Sequence, residues 1–180
     1  MHCPLTKDFV LRSLRHDDSA ALGWYFDSLS PASKSRFAPH PLTQTTAQEL
    51  CATEQSATLR LAIEMAGKII GYFILEPEMS MHEAARYRQF GIALESGKDF
   101  LFAPSVADAF QNRGLASLAM PHLLQLARQS GARSLVLMGG TQATNARAIA
   151  FYEKFGFRRF GGYQTELFNH DMRHVLNHAC

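Results

Sequence analysis

Seven consecutive residues, Gln111-Asn112-Arg113-Gly114-Leu115-Ala116-Ser117, combine a glycine, small side chains and a cation. They lie where a strand-like run, Phe100–Ala103, gives way through Val106 and Ala107 to a helix-like one, Leu115–Gln129. A helix that starts at such a turn leaves its first backbone N–H groups without intrahelical acceptors. Those groups and the helix dipole together favour an anion. Gly114 lets the backbone approach that anion with no Cβ in the way, Ala116 keeps the first turn small, and Arg113 adds charge. The chemistry expected is the gripping of a phosphate or pyrophosphate. A strand–glycine–helix turn is also an ordinary α/β connector, so the rest of the chain must decide.

The elements that would position this turn can be read from pattern. Phe9–Arg15 alternates as a first strand, His16–Ser19 offers capping residues, and Ala20–Leu29 follows as a helix. A proline-rich stretch, Ser30–Thr43, holds one short turn at Ala32–Phe37, and Gln44–Thr53 is a second helix. Leu59–Met65 and Lys68–Leu75 form a hairpin about Ala66-Gly67. Tyr87–Leu94 reads better as a strand than as the end of a helix. Beyond Gln129, Gly131 stops the helix, Ser134–Met138 is a short buried strand, and Gly139–Thr144 is a loop. Asn145–Phe155 is a helix ended by Gly156, and Phe157–Phe160, Tyr163–Phe168 and Met172–Leu176 are late strands about an Asn169–Asp171 turn. Pro121 should bend the long helix. The middle strands should be antiparallel and those flanking the glycine turn parallel, within one domain spanning residues 1–180.

Composition narrows the function class. With 180 residues, 47% hydrophobic and 19% charged, the chain can build a full core. A net charge of +2, without a basic block, argues against a nucleic-acid partner. No run approaches the ~20 apolar residues of a membrane span, so no membrane partner is expected. Three scattered cysteines (Cys3, Cys51, Cys180) and an opening MHCPLTKDF without a secretion-signal core point to the cytoplasm. No metal site is expected. Gly139-Gly140-Thr141 does not fit a dinucleotide-binding G-x-G-x-x-G.

Two motifs in order carry a family resemblance. Gln111-x-x-Gly114-x-Ala116, preceded by Val106, resembles the acyl-CoA pyrophosphate loop of the GNAT superfamily of N-acetyltransferases. Asn145, Ala148 and Phe151-Tyr152-Glu153-Lys154-Phe155-Gly156-Phe157 resemble that family's second signature. Together they cover residues 100–160. The resemblance implies an α/β fold whose mixed, mostly antiparallel central sheet is splayed between two parallel strands and flanked by helices. It implies acetyl-CoA as co-substrate, with Val106 and Ala107 pairing with the pantetheine amides. Backbone N–H groups of Gln111, Asn112, Arg113, Gly114, Leu115, Ala116 and Ser117 would hold the pyrophosphate, and Asn145 would bond the pantetheine arm. Tyr152 matches the position of a general acid in many relatives.

The activity implied is transfer of an acetyl group to a primary amine through a ternary complex, the amine belonging to a small molecule, a peptide or a protein. Many relatives carry a carboxylate on the strand before the loop, and Phe100–Val106 has none. Glu64, Glu76, Asp99, Asp108, His82, Glu83 or a water relay remain open as the proton acceptor. A catalytically idle acyl-CoA-binding module is the alternative. The C-terminal strand, with Tyr163 and Phe168, could equally pair two subunits as a homodimer or close one core.

Overall fold

The computed structural model describes residues 1–53 and 56–176. Cys180 lies outside them. The chain divides into two compact units, Met1–Ile74 with Ala103–Ala119, and Leu75–Phe102 with the chain from Met120 onward.

The first unit holds strands β1 (His2–Pro4), β2 (Val10–Ser13) and β3 (Leu59–Met65) and helices α1 (Ser19–Ser28), α2 (Pro31–Lys34) and α3 (Gln44–Ala52). It also holds most of β4 (Lys68–Glu76), the end of β5 (Asp99–Val106) and the start of α5 (Leu115–Gln129). The second holds α4 (Met81–Arg88), the start of β5, the rest of α5, β6 (Ser134–Leu137), β7 (Thr141–Gln142), α6 (Ala146–Lys154), β8 (Arg158–Gln164) and β9 (Phe168–Val175). The strands hydrogen-bond in the order β1-β2-β3-β4-β5-β6-β9-β7, with β8 on β9.

In the first unit, β2 pairs antiparallel with β1 and β3. The β3–β4 turn is the one expected, with Ala66 at φ 48° and Gly67 at φ 76°, the conformation of a tight hairpin turn. Leu22, Tyr25 and Phe26 of α1 are buried with Ala47 and Cys51 of α3 and Leu61, Ile63 and Tyr72 of the sheet. Asp18 does not cap α1 with its side chain. It accepts two hydrogen bonds from the Arg12 guanidinium (2.6 and 2.7 Å) and one from the Arg15 backbone N–H, and Arg12 also reaches Glu64. Strand β1 carries no alternation that would announce it.

In the second unit, β5 and β6 run parallel over four residue pairs, from Asp99↔Ser134 to Phe102↔Leu137. Strand β5 continues to Val106 while β6 stops at Leu137. Helix α5 spans Leu115–Gln129 as expected, with Pro121 inside it.

Three expectations need correction here. Tyr87–Leu94 is not a strand: α4 continues through Arg88 and ends at Gly91, at φ 74°. The Gly91 N–H donates to Arg88 O and the Ile92 N–H to Tyr87 O, a Schellman cap. Gly131 and Gly156 close α5 and α6 with the same pair of bonds, so the glycine was the signal that outweighed the alternation. Tyr87 is then placed in an apolar cluster with Leu101 and Val136, against which Ile92 and Leu94 pack. Likewise Asn169–Asp171 is not a turn. It lies within β9, which pairs with β6 and β7 and, over its length, with β8. The chain reverses at 165–167 instead, and the presumed Gly139–Thr144 loop contains β7. His170 and His174 are four apart, but on a strand that spacing spans roughly 13 Å, unlike one face of a helix. Among the described residues no three potential ligands gather to hold a metal ion.

Candidate active site

The glycine turn belongs to the first unit and is held from below by Asp108. That carboxylate accepts from the Ser30 backbone N–H and hydroxyl, both at 2.9 Å, and from the Ser33 hydroxyl at 2.7 Å. Burial acts against its charge, but these donors prevail and keep its pKa below the usual carboxylate value. Gln111 then folds back. Its side-chain amide donates to Val106 O (3.0 Å) and Ser33 Oγ (3.3 Å), and its backbone N–H to Asp108 O (3.2 Å).

Gln111 therefore serves the turn through its side chain, and its own N–H already has an acceptor. The open run begins one residue later. From Asn112 to Ser117 no backbone N–H has a protein acceptor among the described residues; the first helical bond is Leu118 N–H to Gly114 O, at 2.9 Å. Asn112 and Gly114 adopt left-handed φ values of 61° and 79°. The positive φ is what requires a glycine at 114, since nothing lies within 4 Å of where its Cβ would sit. Leu115 is buried and anchors the helix start, while Arg113 rests against the Phe110 ring. Six consecutive donors without protein acceptors at a helix start fit a diphosphate.

Val106 and Ala107 are each half engaged. Ala107 N–H donates to Ile70 O at 2.9 Å, so it is not available to a ligand, and Val106 O is covered by Gln111. Successive strand amides point to opposite edges, which leaves the Val106 N–H on the edge away from Ile70. Just before it, Ser105 Oγ lies 2.6 Å from the Tyr25 hydroxyl. This pair is 80 residues apart in sequence and no local pattern announces it.

In the second unit, Asn145 is the N-cap of α6, its Oδ1 accepting from Ala148 N–H at 3.3 Å. Tyr152 is 8% exposed, its ring against Phe151 and Phe157. Its hydroxyl has no hydrogen-bond partner among the described residues, and burial alone raises its pKa. The phenol is thus fully protonated at neutral pH.

The candidate proton acceptors are occupied. Asp99 is wholly buried among Arg133, Arg173 and Ser134; Glu64 holds Arg12; Glu83 accepts from Gly139 N–H and pairs with Arg86. Glu76 accepts from Glu78 N–H. His82 lines a depression of about 810 Å³ with Met81, Glu83, Arg86 and Tyr163.

Residues 24–157 match the model of the Acetyltransferase (GNAT) family, which covers most of the chain and includes both motifs. The chain belongs to the GNAT acetyltransferase family. No curated protein sequence matches it. Solved GNAT structures resemble the fold over nearly its whole length. The ribosomal-protein-S5-alanine acetyltransferase of Vibrio fischeri superposes with a TM-score of 0.76 at 9% identity, over 98% of this chain and 97% of that one. The GNAT domain of S. lividans PAT gives 0.73 at 20% identity (93% and 90%). The yncA protein of Salmonella typhimurium, solved with its cofactor acetyl-CoA, gives 0.71 at 18% identity (97% and 98%). This GNAT chain thus has the fold of an acyltransferase family that uses acetyl-CoA. Among its described residues no helix is long and apolar enough to cross a membrane.

Proposed function

We propose that this protein is an N-acetyltransferase that moves the acetyl group of acetyl-CoA to a primary amine by direct attack within a ternary complex. The run of six unpartnered amides at 112–117 is the observation that carries this reading, because it fits the pyrophosphate of a coenzyme A thioester. Asn145 would meet the pantetheine arm, and the Val106 N–H would meet the thioester oxygen as it gains charge.

In the reaction the amine nitrogen forms a bond to the thioester carbon, the C–S bond breaks, and its electron pair leaves on sulfur. Tyr152 then gives its phenolic proton to the thiolate and is reprotonated from the proton released by the amine. With a thiol pKa near ~8.5, transfer from a phenol raised by burial is uphill, so Tyr152 acts best when proton transfer accompanies C–S cleavage. An alkylamine of pKa ~10.4 is only about one part in a few thousand neutral at pH 7, so removal of its proton accounts for roughly 4–5 kcal/mol of the barrier.

The test is release of free thiol from acetyl-CoA across a broad amine panel. Thiol release that depends on the amine supports the reading. The engagement of Asp99, Glu64 and Glu83 in structural pairs favours the second reading, an idle acyl-CoA-binding module. Tight acetyl-CoA binding without thiol release from any amine would establish that one instead.

A further inference from the structure

The backbone from Ala107 to Gly114 does little to hold its own shape. Its one regular piece is a single turn at Asp108–Phe110, closed by Phe110 N–H to Ala107 O (2.8 Å) and Gln111 N–H to Asp108 O (3.2 Å). One such turn has little stability of its own. Beyond it Asn112 and Gly114 take left-handed φ values, and among the described residues no backbone N–H of 112–114 has a protein acceptor. Donors meant for an anion act fully only when they are fixed beforehand, so side chains must fix this loop.

Those side-chain ties lead to one segment, the end of α1 and the start of α2. Ser30 donates to Asp108 through its backbone N–H and its hydroxyl, and Ser33 through its hydroxyl. With its hydrogen so used, Ser33 Oγ accepts from the Gln111 side-chain amide, which also donates to Val106 O. The same segment reaches the chain on the other side of Val106, where the wholly buried Tyr25 has its hydroxyl 2.6 Å from Ser105 Oγ. Burial raises the Tyr25 pKa, so the phenol keeps its proton for that bond. Val106 and Ala107 are thus flanked by two ties, at 105 and at 108, and both run to α1 and α2.

Stability alone accounts poorly for the second tie. Asp108 is exposed, and hydrogen bonds open to water add little net to folding. Yet three donors, 75 and 78 residues away in sequence, converge on this one carboxylate.

We propose that the α1–α2 segment positions the acetyl-CoA site in two halves. Tyr25, through Ser105, aligns the Val106 N–H; Ser30 and Ser33, through Asp108 and Gln111, align the amides of 112–117. These are positioning residues, and the inference rests on the acetyltransfer reading for what the two sets of amides do. The Val106 N–H meets charge that develops only during reaction, so its alignment sets kcat. The 112–117 amides meet a diphosphate whose charge is constant, so their alignment sets acetyl-CoA binding. A misplacement of ~1 Å can cost as much as ~100-fold.

The test, on the full-length protein, combines calorimetry with acetyl-CoA and thiol release with an amine found in the panel. Asp108→Ala should weaken acetyl-CoA binding about tenfold and raise its KM by as much, with kcat changed less than about threefold. Tyr25→Phe should do the reverse, lowering kcat about tenfold or more and changing acetyl-CoA affinity less than about threefold. The number of acetyl-CoA sites per chain should stay at the wild-type value, so neither effect comes from a smaller folded fraction. Ser33→Ala and Ser105→Ala cut the same ties from the other side and should give the same two splits, so neither result depends on one variant folding. A merely structural role would not produce opposite splits. If cutting the Asp108 tie leaves acetyl-CoA affinity unchanged, or cutting the Tyr25 tie leaves kcat unchanged, or each cut lowers both together, the proposal is overturned while acetyltransfer stands. If the wild type binds acetyl-CoA but releases no thiol with any amine, the acetyltransfer reading fails and takes the Tyr25 half with it, and calorimetry on Asp108→Ala still decides the other half.

Discussion

Asp99 and Tyr72 are both wholly buried polar side chains, one in each unit, and their surroundings are opposite. Asp99 accepts from Arg133, Arg173, the Ser134 hydroxyl and the Glu95 backbone N–H. Tyr72 has rings on several sides, the Arg60 guanidinium close by, and no hydrogen bond of good geometry at its hydroxyl. Folding alone explains the first arrangement, since a buried charge must be met from every side. The same contrast between a met and an unmet polar group separates the Gln111 amide, which has an acceptor, from those of Asn112 to Ser117, which have none among the described residues.

Removing the satisfied group should have the largest effect. Asp99→Ala leaves Arg173 and the buried Ser134 hydroxyl without their carboxylate and Arg133 with Glu95 alone, and should cost about 3–5 kcal/mol, read as a fall in denaturant midpoint. The pH dependence has a definite sign. Burial raises the Asp99 pKa, but Arg133, Ser134, the Glu95 amide and Arg173 outweigh it, so the folded value lies below the unfolded one near ~3.9. The stabilisation is therefore complete above ~3.9 and is lost as pH falls through the lower folded value. Asp99→Ala should flatten that acid limb; an unchanged limb would show the cluster to be incidental.

Next come the residues assigned to the reaction. Tyr152→Phe should lower kcat by ~100-fold, within the range for loss of a general acid, with acetyl-CoA affinity changed less than threefold. Equal kcat would return Tyr152 to a packing role. Gly114→Ala places a Cβ in open space at φ 79°, so the fold survives a strain of about 1–2 kcal/mol. If the diphosphate sits on the 112–117 amides as proposed, a methyl group on Gly114 crowds it, and acetyl-CoA affinity should fall at least tenfold by calorimetry.

What was legible in the sequence follows the same division. The glycine turn, the extent of α5, the β3–β4 hairpin and the α6 motif are local, and their residues announced them. Gly91 was equally local, but the alternation in Tyr87–Leu94 masked a helix cap that Gly131 and Gly156 had shown at two other ends. No turn forms at Asn169–Asp171, because these polar residues do not break the chain: Asn169 and Asp171 are buried in β9 with partners for their side chains. The Tyr25–Ser105 bond and the bonds of Ser30 and Ser33 to Asp108 join segments far apart in the chain, so no periodicity could reveal them.

The smallest effect is expected at Tyr72. Tyr72→Phe deletes a buried hydroxyl that makes no hydrogen bond of good geometry and has the Arg60 guanidinium close by. Against the four donors that meet Asp99, so weakly met a group should matter little, and the variant should stay within about 1 kcal/mol of wild type, a shift of a few degrees in Tm. A fall well beyond that would show that Arg60 holds the Tyr72 hydroxyl as firmly as Arg133 and Arg173 hold Asp99, and would erase the contrast between the two sites.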